Sequence, residues 1–301
     1  MRENDTRIIG LIGIGLVGTA LAKNLLDNKF KVIGYDISDE RMGIFNDMGG
    51  LPANSPKDVA ERSPIIILSL MTSEIIKQVL FGVNGVIENK KCPRLVINTS
   101  TCHPTQSEAY AHELSKQEIE FLDAPIAGSS TQIAQREGIF MVGGNEKTYL
   151  DHVDIFNAIS KHHLYLGRTG AGSRAKIAVN LVLGLNRAIL AEGLVFAEML
   201  GIPKTEALRL FSITPAYSKA IDIKGEKMVN EDFTPQAKLS QHRKDVGIML
   251  DIMEQKKHVL PFTRLHSGLL DKAIELGFGE LDNSSILGVF KTIGDLKEKK
   301  N

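Results

Sequence analysis

The chain has no tryptophan, only two cysteines in 301 residues, and no excess of either charge. Cys92 and Cys102 are too few for a disulfide framework and have no metal-ligand spacing, so a reducing cytoplasm fits them. Lys plus Arg equals Asp plus Glu, at 36 each. That balance argues against a general nucleic-acid binder and leaves room for a small anion held by local charge. The eight histidines form no H-E-x-x-H and no Cys/His cluster, so no metal is expected. His162 and His163 read as exposed polar side chains ahead of a strand. Residues 1–7 are polar, with no secretory apolar region behind them, and no run looks long enough to cross a bilayer. No repeat or low-complexity segment occurs, and residues 296–301, LKEKKN, read as a solvated tail.

What is present is a large apolar fraction, 43%, in a chain long enough for two domains. The organising stretch runs from Arg7 to Asp36. A short apolar run, Ile8 to Ile12, fits a buried strand of a parallel sheet. Gly13-Ile14-Gly15-Leu16-Val17-Gly18 follows, then helical spacing from Thr19 to Asn28, a second apolar run from Lys31 to Tyr35, and Asp36. A lone G-x-G-x-x-G is weak, but strand, glycine turn, helix, strand and acid in this order form a dinucleotide fingerprint. Gly13 permits the sharp turn, Gly15 lets a pyrophosphate approach the backbone, and Gly18 lets the helix pack on the sheet. Free amides at the helix start favour the phosphates. Asp36 can accept hydrogen bonds from the adenosine ribose and would repel a 2′-phosphate, which favours NAD. Arg41 can bind such a phosphate, so NADP stays open.

Further apolar runs at 64–70, 95–98, 121–124, 140–144 and 165–167 read as strands. Helical segments at 39–48, 72–80 and 105–116 alternate with the earlier of them. The expected fold is α/β: an N-terminal Rossmann doubly wound sheet over residues 1–168, and a C-terminal all-α domain over 169–301 linked by a long helix. Ligands on such sheets bind at the carboxyl ends of the strands. The loops 69–73, 99–104 and 125–131 therefore join the glycine turn as candidates, with Leu70, Met71 and Thr101 as cofactor contacts. Their small polar residues can equally be ordinary helix caps.

Ala171 to Leu200 is almost unbroken helical pattern, about 45 Å long at 1.5 Å per residue. Its apolar character requires cover on several sides, part of it from a second subunit. A homodimer or homotetramer is expected. Further helices are expected from Pro203 to Phe211, from Gln236 to Lys256 and from Thr263 to Leu276. Gly170-Ala171-Gly172 precedes the long helix, which then presents Lys176 and Asn180 on one face. A lysine among Ala175, Ile177, Ala178 and Val179 is either snorkelling or working. Lys244-Asp245 interrupts a helical stretch and by itself reads as a surface ion pair.

Together these residues resemble the β-hydroxyacid dehydrogenases, from Ile8 to about Lys291. The motifs are the glycine turn Gly13 to Gly18, the loop Asp123-Ala124-Pro125-Ile126-Ala127-Gly128, the segment Gly170-Ala171-Gly172 through Lys176 and Asn180, and Lys244-Asp245. Leu80-Phe81-Gly82, Asn84-Gly85-Val86 and Met141-Val142-Gly143-Gly144 are smaller echoes. The resemblance implies hydride transfer between a nicotinamide and a small carboxylate bearing a β-hydroxyl or aldehyde. Lys176 would be the acid/base, and Asn180 would help hold the substrate. Ala127, Gly128, Ser129, Lys244 and Asp245 would contact the substrate, Lys244 also touching the cofactor. An ammonium beside the reacting oxygen stabilises developing charge and supplies the proton.

The chain departs from the family in places. Serine is usual where Ala127 stands, and glycine where Ser129 stands. Backbone amides around Gly128 and the Ser129 hydroxyl can take over an anion. A bulky aromatic is common at the position of Ala237, and an asparagine at Val179. Imine reduction on the same architecture, and a non-catalytic dinucleotide sensor, are the alternatives. Relatives of the first kind lack the lysine, and Lys176 with Asn180 weighs against both. The expected partner is a small carboxylate substrate, with no nucleic acid and no membrane.

Overall fold

The computed structural model describes residues 8–88 and 93–294. Cys92 and the 296–301 tail lie outside the described residues. The chain divides into two compact units, residues 1–176 and 177–301. The division expected at 168/169 falls eight residues earlier, so the first turns of the long helix group with the sheet.

In the first unit, β1 (Ile8–Ile12), α1 (Leu16–Asp27), β2 (Lys31–Tyr35), α2 (Asp39–Asp47), β3 (Leu51–Pro52), α3 (Pro56–Arg62), β4 (Ile65–Leu68), α4 (Ser73–Phe81), β5 (Leu95–Asn98), α5 (Pro104–Ser115) and β6 (Glu120–Asp123) follow one another. The six strands form one parallel sheet in the order β3-β2-β1-β4-β5-β6. Both faces are buried, because successive side chains point to opposite sides. Ile9, Leu11, Ile65, Ile67, Leu95 and Ile97 join one core cluster. Ile12, Ile66, Leu68 and Val96, from the same strands, join the other. The order reverses between β1 and β4, which opens a crevice at the carboxyl ends of those strands.

The later strands do not extend this sheet. β7 (Ile126–Ala127), α6 (Ser130–Ala134), β8 (Ile139–Val142), α7 (Glu146–Asp151), α8 (Val153–Ile159) and β9 (His162–Tyr165) build a separate three-stranded sheet, β7-β8-β9. The 125–131 segment, expected as a loop, thus holds a short strand and a helix start. The last strand begins at His162 rather than Tyr165. His163 is part of it through its pairing with Phe140 of β8, and its ring is engaged, Nδ1 with Tyr149 Oη at 2.6 Å and Nε2 with Asn157 Oδ1 at 3.0 Å.

The long helix is α9 (Ala171–Met199). By length and composition it could cross a membrane, which corrects the expectation that no run is long enough. Arg187 is the only charged residue between Lys176 and Glu192. In the second unit α9 supplies Leu190, Ala191, Leu194 and Ala197 to a core shared with α10 (Lys204–Ile213), α11 (Lys219–Val229), α12 (Leu239–Gln255), α13 (Pro261–Glu275) and α14 (Leu287–Gly294). No strand follows β9 among the described residues. α12 runs unbroken through Lys244-Asp245, correcting the interruption read there.

Candidate functional site

The glycine turn is built as its composition requires. Gly13 has φ +93°, a conformation that side chains resist, and a Cβ there would overlap the Ser69 carbonyl. A Cβ on Gly18 would overlap the Gly13 carbonyl oxygen, so that glycine sets how closely α1 starts against the strand. Gly15 differs: a Cβ there would meet only Arg41, at 4.0 Å. Gly15 caps α1 with no side-chain hydrogen bond, and the first turn carries no acid. Leu16 is exposed beside it, Val17 half-buried. An open, uncapped helix start with room at its backbone fits a phosphate group.

Asp36 directly follows β2, next to this turn. Its Oδ2 accepts from the Ile14 amide at 2.7 Å and its Oδ1 from the Ser38 amide at 3.0 Å. The Arg41 guanidinium stands 3.5 Å from Oδ1. The carboxylate is therefore fixed by the loop it serves. At the neighbouring strand ends, the Leu70 amide donates to Ser100 Oγ at 2.8 Å, Met71 is exposed and Thr101 half-buried.

Lys176 is buried, and its Nζ donates to the Ile126 carbonyl at 2.8 Å. It is thus not a solvated helix lysine. The carbonyl belongs to β7, in the Asp123-to-Gly128 motif. Ala127 follows, then Gly128 at φ +140°. Ser129 caps α6 in a reciprocal box: its amide donates to Gln132 Oε1 at 2.9 Å, and its Oγ accepts from the Gln132 amide at 3.3 Å. That amide is therefore already engaged, which narrows the anion role expected of this loop to the remaining groups.

The motif also holds a group whose role the sequence reading missed. Asp123 is fully buried and accepts from the Ser173 amide at 2.8 Å, Ser173 Oγ at 2.6 Å and Ser107 Oγ at 3.2 Å. Burial pushes its carboxyl up, and the Ser173 and Ser107 bonds pull it back. It ties the start of α9 to the end of β6, upstream of Lys176. The available signal was an acid at a strand end together with a serine in the first turn of the long helix.

In the second unit, Asn180 donates from Nδ2 to Asp245 Oδ2 at 2.7 Å, both residues being buried. Lys244 Nζ is 3.3 Å from Asp245 Oδ1. Asp245 is thus an interior partner of Asn180 rather than half of a surface pair. Around them lie charges the sequence reading also missed: buried Arg187, and Lys224 paired with Asp282 at 2.8 Å. Among the described residues, no three His, Cys, Asp or Glu side chains gather as a metal site.

A family model described as the NAD binding domain of 6-phosphogluconate dehydrogenase matches residues 8–167. A second, described as NAD-binding of NADP-dependent 3-hydroxyisobutyrate dehydrogenase, matches residues 170–290. The chain is 29% identical to the L-threonate dehydrogenase of Cupriavidus necator, over 96% of this chain and 97% of that protein. It is 28% identical to the 2-(hydroxymethyl)glutarate dehydrogenase of Eubacterium barkeri, over 94% of each. A solved 3-hydroxyisobutyrate dehydrogenase from Salmonella typhimurium superposes with a TM-score of 0.85 at 23% identity, over 94% of this chain and 99% of that one. Both models describe NAD-binding domains, so the cofactor of this chain is NAD(P).

Proposed function

The chain belongs to the β-hydroxyacid dehydrogenase family, and we propose that it transfers a hydride between NAD(P) and a small β-hydroxy acid or the matching semialdehyde, with Lys176 as acid and base. The observation that carries this reading is the buried Lys176 ammonium, held on the Ile126 carbonyl inside the Asp123-to-Gly128 motif. When bound, the nicotinamide supplies or accepts the hydride. In reduction, Lys176 gives a proton to the aldehyde oxygen as charge develops there. In oxidation its neutral amine takes the hydroxyl proton. Asn180, its Nδ2 held by Asp245, positions the substrate one helical turn further on. Ala127, Gly128 and Ser129 are assigned to the substrate's carboxylate end, and Lys244 and Asp245 to substrate contact, Lys244 also to cofactor contact.

Asp36 favours NAD, because its fixed carboxylate would repel a 2′-phosphate. Thr101, Leu70 and Met71 complete the cofactor contacts. The chain acts in the cytoplasm, where the buried Cys102 thiol stays reduced. Hydroxy acids related to threonate and to 2-(hydroxymethyl)glutarate are first choices as substrates, given the relatives named above.

A panel of small semialdehydes and β-hydroxy acids, assayed with NADH, NADPH and their oxidised forms, tests the reading. We expect turnover with at least one pair, faster with NAD(H). Lys176→Met should lower kcat by about 10²- to 10⁴-fold with dinucleotide binding retained. Near-native kcat in Lys176→Met would remove the lysine from the mechanism, and no turnover across the panel would favour a dinucleotide sensor.

A further inference from the structure

The start of α9 meets one stretch of chain, residues 123–126, at three points, all within the first unit. Lys176 Nζ donates to the Ile126 carbonyl at 2.8 Å. Nearly one helical turn earlier, the Ser173 amide donates to Asp123 Oδ2 at 2.8 Å and the Ser173 hydroxyl to Oδ1 at 2.6 Å. Between the strand end and the helix stands Gly172, where a Cβ would overlap the carbonyl oxygens of Asp123 and Met141. Asp123 and Ile126 are three residues apart, and so are Ser173 and Lys176. The stretch therefore grips both ends of the helical turn that leads to the lysine.

That stretch is itself fixed from two sheets. Asp123 exchanges backbone hydrogen bonds with Gly143, at 2.8 Å each way, and the Met141 amide of β8 donates to the Pro125 carbonyl at 3.0 Å. On the other side the Ala124 amide donates to the Asn98 carbonyl of β5 at 2.8 Å. Ser107 Oγ, from α5, lies 3.2 Å from Asp123 Oδ1 and 3.1 Å from Ser173 Oγ. Asp123, Ser107 and Ser173 are all fully buried. The Ser173 amide belongs to the first turn of α9, where amides have no partner inside the helix. Asp123 supplies the missing acceptor from another element, which no apolar side chain of its shape could do.

We propose that Asp123 is the positioning residue of Lys176: through Ser173 it fixes where the first turn of α9 sits on the 123–126 stretch, and so where the ammonium stands. It works as a hydrogen-bond acceptor, and its buried carboxylate reaches the reaction only through the helix. The consequence for rate rests on the function proposed above, whereas the placement of Lys176 does not. Proton transfer is sensitive to placement, since an error of about 1 Å can cost about 10²-fold in rate.

The test uses the full chain with lysine isotope-labelled at Cε and read by NMR. The Lys176 signal is assigned by its loss in Lys176→Met. Asp123→Leu keeps the shape of the side chain without an acceptor. Asp123→Asn can still accept from the Ser173 amide, with its own NH2 turned to the two hydroxyls, which also accept. Asp123→Leu should shift the Lys176 signal and lower kcat about tenfold or more, on any substrate turned over in the panel above, with KM and NADH affinity within about threefold of wild type. Asp123→Asn should return the signal and most of kcat. Asn24 supplies a control for lost packing: it is buried, and its Nδ2 donates to the Ile133 and Ile159 carbonyls at 2.6 and 3.0 Å. Asn24→Leu should lower Tm and leave the Lys176 signal in place. If Asp123→Leu does not fold, Ser173→Ala, which drops the hydroxyl bond alone, should shift the signal in its stead. A Lys176 signal unmoved in the folded variant would overturn the proposal, as would an equal shift in Asn24→Leu or a kcat loss that Asp123→Asn shares in full. A shifted signal with wild-type kcat would uphold the placement and remove Lys176 from the chemistry, a failure of the proposed function instead.

Discussion

His266 shows how much a single side chain's surroundings matter. Its pKa falls from 6.5 to about 4, chiefly through burial and secondly through the charge of Arg187. Between those values the unfolded chain binds a proton that the folded chain refuses. Stability is therefore complete above pH 6.5, declines as pH falls through this window and levels off near pH 4. The difference of 2.5 units, from 6.5 minus 4, corresponds to about 3 kcal/mol at most. Urea unfolding at pH 7.5 and at pH 4.5 should show most of that loss in wild type. His266→Gln should flatten it, and an equal loss in the variant would place the acid sensitivity elsewhere. Nothing in the sequence marked His266, because a lone histidine on a helix has no signature of burial. Lys176 was more legible through its apolar neighbours and its motif, although only the fold shows the Ile126 carbonyl that receives it.

At the scale of elements, the glycine turn and α1 act as one device. The helix can begin where it does only because residue 18 has no Cβ against the Gly13 carbonyl. Gly18→Ala should push the first turn of α1 outward, costing about 1–3 kcal/mol of overpacking. NADH affinity should fall at least tenfold, read by cofactor fluorescence, while Lys176 stays in place. Undiminished affinity would mean that the turn does not carry the pyrophosphate. Five of the six strands of the main sheet were legible because each is a short apolar run bounded by turn residues. β3 and β7 were missed: each is only two residues long, too short for any periodicity. α11 was missed because Lys219, Asp222, Lys224, Glu226 and Lys227 crowd its eleven residues, and the inward role of Lys224 is invisible until Asp282 is opposite it.

At the scale of the whole molecule, α9 leaves one apolar face uncovered. Val182, Ile189, Phe196 and Met199 are exposed and recur in steps of seven, seven and three along the helix. One face of a single helix can meet its own copy about a two-fold axis. An antiparallel pairing centred on Ile189 would set Glu192 against Asn186 rather than against a second Glu192, and Phe196 against Val182. We expect a homodimer at micromolar concentration, and Ile189→Glu with Phe196→Glu should yield a folded monomer in sedimentation velocity. An unchanged sedimentation coefficient would place the contact elsewhere. The sequence alone determined the doubly wound sheet, the dinucleotide turn and the lysine-bearing helix, because these follow from local periodicity and from residue spacings along the chain. Only the tertiary structure decided that the last three strands form their own sheet, that Asp245 faces inward to Asn180, and that Arg187 is buried where Asp282 and Asp245 act on it. Those facts depend on which distant side chains meet, and on which charges lose their water when they do.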